Sequence, residues 1–365
     1  MLKCKIEKRF FYIFLFFYIA ASAILMFATP FTQAEANLIF NNNFTLTNLI
    51  INFLYPQIDN NLIRLPFFVL SLISLLIFYK IIKSYFKKEE FIYLTLFVYL
   101  LTPGLFLSFI IVNYATIPIL LTLIFIFAYK KDYKILQIVV LVLLFFTHTA
   151  QFAFYIAILL YSFKKREWHL FITSGLMFLL SSVEATYPID GIPRGHLLEL
   201  FGIYGAVFSP LLFIAFVYSI YKIGLKGKKD ILWYIAATVF SISILLSIRQ
   251  KIRVTDFTPY IVIATPLIIQ VYKDSISIRL KKFRKFYYTI CLTIITVLLL
   301  ETSLIIFHYP IYKFLHIDLW LIDKSIYKIE KNALILKKEG KNCINKVRKR
   351  DINLYRFYNI SKCKQ

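Results

Sequence analysis

Two groups of side chains in this sequence are placed where they could do chemistry. One is a lone carboxylate, Glu35 in "FATPFTQAEANLIF", standing between long apolar runs. The other is "SIRQKIRVTD", where Arg249, Lys251 and Arg253 present three cations at alternate positions. A carboxylate at a membrane edge can take a proton from a hydroxyl if its pKa is suited to the task. It can equally be a solvated loop residue. Arginine forks and a lysine are the natural partners of a phosphate or pyrophosphate, although the same cluster would also tether lipid headgroups. If both groups face one pocket, the pair is a base beside an anion cradle.

The elements that must position them are membrane helices. Of 365 residues, 60% are hydrophobic, against about 45–50% in soluble proteins. Since about 20 apolar residues cross a bilayer, the expected fold is all-α and polytopic. It has about eleven spans, near 10–29, 64–82, 91–106, 115–128, 135–147, 151–163, 168–183, 203–221, 231–248, 257–272 and 287–307. The first apolar run lacks a small-residue cleavage site and reads as a retained signal anchor. The expected division is a transmembrane domain, 1–307, and a basic extracytoplasmic C-terminal region, 308–365. "NLIFNNNFTLTNLIINFLYPQIDNNLIR" is too polar to span and suits two short helices lying in the interface, with a plain polar loop as the alternative.

Charge sets the expected orientation. The segments assigned to the N-terminal side carry 24 Lys/Arg and those on the other side carry 4, so the N-terminus reads as cytoplasmic. An odd number of crossings then puts the tail outside, despite 14 Lys/Arg against 5 Asp/Glu from Tyr309 onward. Long translocated segments escape the charge rule. Cys343 and Cys363 could close a disulfide in an oxidising compartment, or stay free thiols. The net charge of +24 does not point to nucleic acid, because most of it lies in short loops that topology explains. No phosphate-binding glycine loop, HExxH, GxSxG or CxxC pair is present, and only nine glycines occur.

Other polar residues fall on the same expected outer side. They include Asp59, Asn113, His148, a loop carrying Glu184, Asp190, Arg194, His196 and Glu199, then Asp256, and Glu301 near the end of the last span. Charge inside a membrane is costly and usually has a purpose. His148 shows no metal-ligand spacing, so it reads either as a site residue or as a helix-packing hydrogen bond. Arg64, opening the second span, either joins the cationic cradle or anchors its helix.

In this order the pieces resemble the GT-C membrane glycosyltransferases, in particular the group of lipid A aminoarabinose transferases and protein O-mannosyltransferases. "QAEANLI" is similar to the acidic first-loop motif of that group and keeps Glu35-Ala36. "LIRLPFFVL" supplies Arg64, Leu65 and Pro66 at the second span. "YLLTPGLFLSFIIVNYATIPILL" matches a span ending at proline, and "RQKIRVTDFTPYIVIATPLII" matches a basic outer segment entering a span. "NLYRFYNIS" is similar to an aromatic strand pattern in the family's outer domain. The resemblance covers roughly residues 5–310. The chain departs from the family at Ala34, where the family usually places Asp, and in "VNYATIP", which lacks an expected Asp. The resemblance implies transfer of a sugar from a polyprenyl-phosphate carrier to an envelope acceptor at the outer face of the inner (plasma) membrane. Glu35 would be the base, and Arg249, Lys251 and Arg253 the phosphate clamp. Arg64, Asp59 and His148 would assist in substrate binding. The implied partners are the lipid-linked donor, an envelope acceptor and membrane lipids. A divalent metal occurs in that superfamily, but no ligand set stands out here. A noncatalytic assembly protein and a lipid-linked-glycan transporter are the competing readings.

Overall fold

The computed structural model describes residues 6–40, 45–55, 60–147, 150–183, 195–315, 326–344 and 347–363. Asp59, His148 and Glu184–Arg194 lie outside them. The described residues are overwhelmingly helical.

The chain opens with α1 (Lys8–Ala28), which ends where Thr29 turns extended before Pro30, as residues preceding proline tend to do. Two short helices follow, α2 (Gln33–Phe40) and α3 (Leu46–Leu54); α3 lies in the segment expected to hold such a pair, and α2 begins four residues before it. The Thr45 hydroxyl caps α3 by accepting from the Asn48 N–H at 3.1 Å. Then come α4 (Arg64–Tyr85), α5 (Glu89–Leu101) and α6 (Pro103–Ile110). Proline at the first position of α6 removes a backbone donor, and the α5–α6 axis bends by 67°.

Next are α7 (Thr116–Lys130), α8 (Lys134–Phe145), α9 (Gln151–Lys165) and α10 (Trp168–Val183). The pair α11 (Leu197–Phe208) and α12 (Pro210–Lys226) bends by 106° at Ser209, which sits at φ 79°. Helix α13 (Ile231–Arg249) is capped by the Asp230 carboxylate, which accepts from the Trp233 N–H at 3.0 Å. Then follow α14 (Thr258–Val262), α15 (Thr265–Ile278) and α16 (Lys281–Ile306).

Every expected span coincides with a helix or a broken helix pair. Five spans among the described residues are long and apolar enough to cross a membrane, or seven if each bent pair counts as one. The remaining four expectations fall on α7 to α10, which have 12 to 16 residues and rise only about 18–24 Å at 1.5 Å per residue. Apolar runs register burial and membrane contact alike, so composition alone does not fix the count.

The helix ends nevertheless sort into two groups. At one end, Lys130 Nζ donates to Ser84 Oγ and lies over the Tyr85 ring, and the Tyr85 hydroxyl donates to Asp230. The Tyr129 hydroxyl donates to Glu167 at 2.7 Å, Tyr161 packs on Tyr234, and Lys222 Nζ donates to Ser275 at 2.8 Å. All the interhelical basic loops of the charge analysis thus meet at this basic end. At the other end, Phe146 accepts from the Leu46 N–H, Asp256 from the Ala150 N–H and Ser247 from the His196 N–H, each through its backbone carbonyl. The short helices α7, α8 and α9 run from one end to the other. Packing is closest where α9 lies along α10 and α13, and where α4 lies along α7. Gly104 opens α6 against α11; a Cβ there would come within 2.4 Å of Val207 Cγ1, so that crossing needs glycine.

The tail contains α17 (His308–Leu315), α18 (Ile326–Lys338), β1 (Cys343–Ile344), α19 (Ile352–Phe357) and β2 (Ser361–Lys362). β1 and β2 pair in parallel, and Cys343 is disulfide-bonded to Cys363. "NLYRFYNIS" is therefore helical in its first half, not a strand. Leu354 and Phe357, three residues apart, form the buried face of α19, and that helix docks on α2. Phe357 stacks on Phe31 at 4.0 Å, Asn353 Nδ2 donates to Asn37 Oδ1 at 2.9 Å, and Arg356 covers the Phe40 ring at 4.5 Å.

Candidate functional site

Glu35 occupies the first turn of α2 and is 1% exposed. "TQAE" is a capping box: Thr32 Oγ1 accepts from the Glu35 N–H at 3.2 Å, while Glu35 Oε2 accepts from the Thr32 N–H at 2.9 Å. The same Oε2 accepts from Thr32 Oγ1 at 3.0 Å and from Arg64 Nη2 at 2.7 Å. Oε1 accepts from Arg64 Nε at 2.8 Å and from the Val112 N–H at 2.9 Å. A carboxylate has about four acceptor sites, and these five donors saturate it.

Arg64 is equally committed. Besides its two bonds to Glu35, its Nη1 donates to the carbonyls of Met26 and Thr29 at 2.7 and 2.8 Å, and its Nη2 to that of Pro30 at 3.0 Å. All five guanidinium N–H groups are used, and the Phe31 ring lies 4.9 Å from the guanidinium carbon. The structure thus gives Glu35 a role different from the expected base, and of the two alternatives for Arg64 its contacts match the anchor rather than the cradle. Arg64 has no donor left for a phosphate, and Glu35 has no lone pair for an acceptor proton. Together they tie the end of α1, the start of α2, the start of α4 and the loop at Val112 into one joint.

What that joint positions is a cavity of about 350 Å³, within the range of small-ligand sites. Ala34 and Leu38 of α2 line one side, Thr255, Asp256 and Thr258 another, and Asn113 a third. Asn113 Oδ1 caps α7, accepting from the Ala115 and Thr116 N–H groups at 3.0 and 3.2 Å. The rest of the lining is mostly apolar, from Gly104 and Leu107 on α6 to Ile203 and Val207 on α11. Ala34, the position where the resembled family carries Asp, faces the cavity, while its neighbour Glu35 is turned into the joint. The carboxylate on the cavity wall is Asp256.

Arg249, Lys251 and Arg253 lie on the same side of the bundle as α2, in the segment leading to Asp256, and all three are exposed. Arg253 Nε is 3.2 Å from Asp256 Oδ2, with 71% of the Arg253 side chain exposed against 8% of Asp256. Lys251 pairs with Glu199, which also lies 3.6 Å from His196 Nδ1. Neither Glu35 nor any of the three cations lines the cavity, so the expected pocket shared by that carboxylate and those cations is not formed; the cavity and the cation segment meet only through Asp256 and Arg253. The acid between them is one the sequence reading named without a role. Its signal was the i,i+3 spacing of Arg253 and Asp256, just as the capping role of Glu35 was visible in Thr-x-x-Glu. Glu301 is half-buried in α16 and does not line this cavity. No group of three or more His, Cys, Asp or Glu suited to a metal ion occurs among the described residues.

The disulfide-closed tail packs beside the joint through α19. There burial pushes the Tyr358 hydroxyl well above the usual tyrosine range and raises the Glu330 carboxyl.

No family model, curated protein or solved structure matches this chain.

Proposed function

We propose that this chain is a membrane glycosyltransferase, moving a sugar from a polyprenyl-phosphate carrier to an envelope acceptor. In this reading the N-terminus is cytoplasmic, about eleven helices cross the inner membrane, and the Glu35 end with the tail faces outward. The disulfide and the clustering of basic loops at the opposite end support that orientation.

The observation that carries the reading is the cavity: a largely apolar chamber with Asp256 on its wall and the Arg249–Arg253 segment beside it. An isoprenoid needs an apolar groove, its phosphate needs cations, and the acceptor hydroxyl needs a base. Asp256 takes the acceptor proton. The acceptor oxygen forms its bond to the anomeric carbon as the carbon–phosphate-oxygen bond breaks. The electron pair leaves on the polyprenyl phosphate, whose charge Arg249, Lys251 and Arg253 stabilise. Glu35 and Arg64 hold the wall that Ala34 and Leu38 present, and act by positioning.

Reconstitution with a lipid-linked sugar donor tests this. Asp256→Asn is expected to lower transfer by about 10²-fold or more, and Ala34→Asp in that background to restore part of it. Full activity in Asp256→Asn defeats the base assignment. The competing noncatalytic reading has one observation in its favour, the alanine at position 34. It predicts no transfer by the native chain with any donor, and co-purification with other envelope proteins.

A further inference from the structure

A second apolar cleft, of about 410 Å³, opens between α12, α15 and α16, away from the cavity beside α2. On α16 its lining runs from Phe286 to Ile295, about 13 Å along the helix at 1.5 Å per residue. Phe286 and Ile290 are 66% and 41% exposed, so the cleft faces outward from the bundle. In a bilayer such a surface is filled by hydrocarbon.

The cleft is not uniform along its length. Toward the basic end its lining includes Tyr218, Ser275 and Tyr287, and a cation is fixed beside each. Lys222 Nζ donates to Ser275 Oγ at 2.8 Å and lies 5.7 Å from the Tyr218 ring centre, while the Arg279 guanidinium lies 4.8 Å from that of Tyr287. The Tyr272 hydroxyl, on another lining residue, is buried without a hydrogen-bond partner. The two loops at this mouth, 222–230 and 273–286, hold ten Lys/Arg against Asp230 and Asp274.

An apolar slot ending in two held cations has the form of an anionic lipid: chain inside, phosphate at the mouth. We propose that this cleft binds one anionic phospholipid from the leaflet at the basic end, its phosphate held by Lys222 and Arg279 and one acyl chain lying along α16. Charge complementarity selects this occupant over a zwitterionic lipid. The proposal is independent of whether the chain transfers sugars.

Native mass spectrometry of the purified full chain with phosphatidylglycerol, phosphatidylcholine and glycerol phosphate tests it. Phosphatidylglycerol is expected to bind most tightly and glycerol phosphate not to bind. The double variant Lys222→Ala/Arg279→Ala is expected to lose roughly twentyfold in phosphatidylglycerol affinity while keeping its weak phosphatidylcholine binding. Ile290→Trp, at an exposed position on the cleft wall, is expected to weaken both lipids, and Lys222→Arg to retain the preference. Equal binding of the two lipids, an unchanged preference in the double variant, or undiminished binding in Ile290→Trp overturns the proposal. Tight glycerol phosphate binding does so too, since it would make this an anion site with no use for the slot.

Discussion

Two arginine–carboxylate pairs stand at the same end of this molecule, and they are built for opposite purposes. Arg64 and Glu35 are each 1% exposed and saturate one another with the help of Thr32, Val112 and three α1-end carbonyls. Arg253 holds Asp256 from the solvent side, with most of its side chain exposed and the carboxylate on a cavity wall. A fully satisfied buried pair fixes geometry, because any rearrangement strands a charge in low dielectric. A pair with one exposed partner gives up little when a ligand displaces that partner. Chemical type is identical in the two pairs, and surroundings assign the task.

The sharpest way to break this contrast is to remove one member of the buried pair. Arg64→Ala is expected to destabilise the protein by about 3–5 kcal/mol, read as thermal unfolding in detergent. Glu35→Leu/Arg64→Met is expected to cost less than the sum of its single variants, since neither charge is then left alone. A small effect of Arg64→Ala would remove the distinction between joint and rim. Asp256→Asn is expected to do the reverse. Transfer falls about 10²-fold, equivalent to about 2.7 kcal/mol in the barrier, while stability changes by about 1 kcal/mol or less. Smaller again is Lys251→Ala. Its pair with Glu199 is exposed on both sides, so the stability cost is about 0–1 kcal/mol, and the loss appears in donor KM rather than in unfolding.

The smallest lever is His308, where the last long helix enters the tail. Burial lowers its pKa, opposed by the Ile305 carbonyl that faces Nδ1 at 2.7 Å. With the folded value below the unfolded one, the unfolded chain binds the proton first. The contribution of His308 is therefore full above the unfolded pKa and is lost as pH falls through the folded pKa. Unfolding across that acidic window in native protein and in His308→Gln is expected to show a shallower pH dependence in the variant.

Much of this architecture is legible along the chain. Apolar runs mark the long helices as far as α16, Thr-Pro and Ser-Pro mark the breaks at Pro103, Pro210, Pro259 and Pro266, and lysine-rich loops mark one end. The two short helices before Arg64 also follow from local pattern. The role of Glu35 was only half visible. Thr-x-x-Glu is a local signal for a helix start, but the rest of its shell comes from Arg64 and Val112, 29 and 77 residues away.

The sequence alone therefore settled that the chain is a membrane-embedded helical protein with most of the basic loops between its helices at one end, because hydropathy and helix propensity act over a few turns. It also brought the right segments into consideration: the first loop, the start of α4 and the "RQKIR" run. Which carboxylate faces the cavity was decided only in three dimensions. Adjacent residues on a helix point about 100° apart, so when distant partners fixed the rotation of α2, Glu35 went to the joint and Ala34 to the cavity. That left Asp256, from the far side of the sequence, as the acid on its wall.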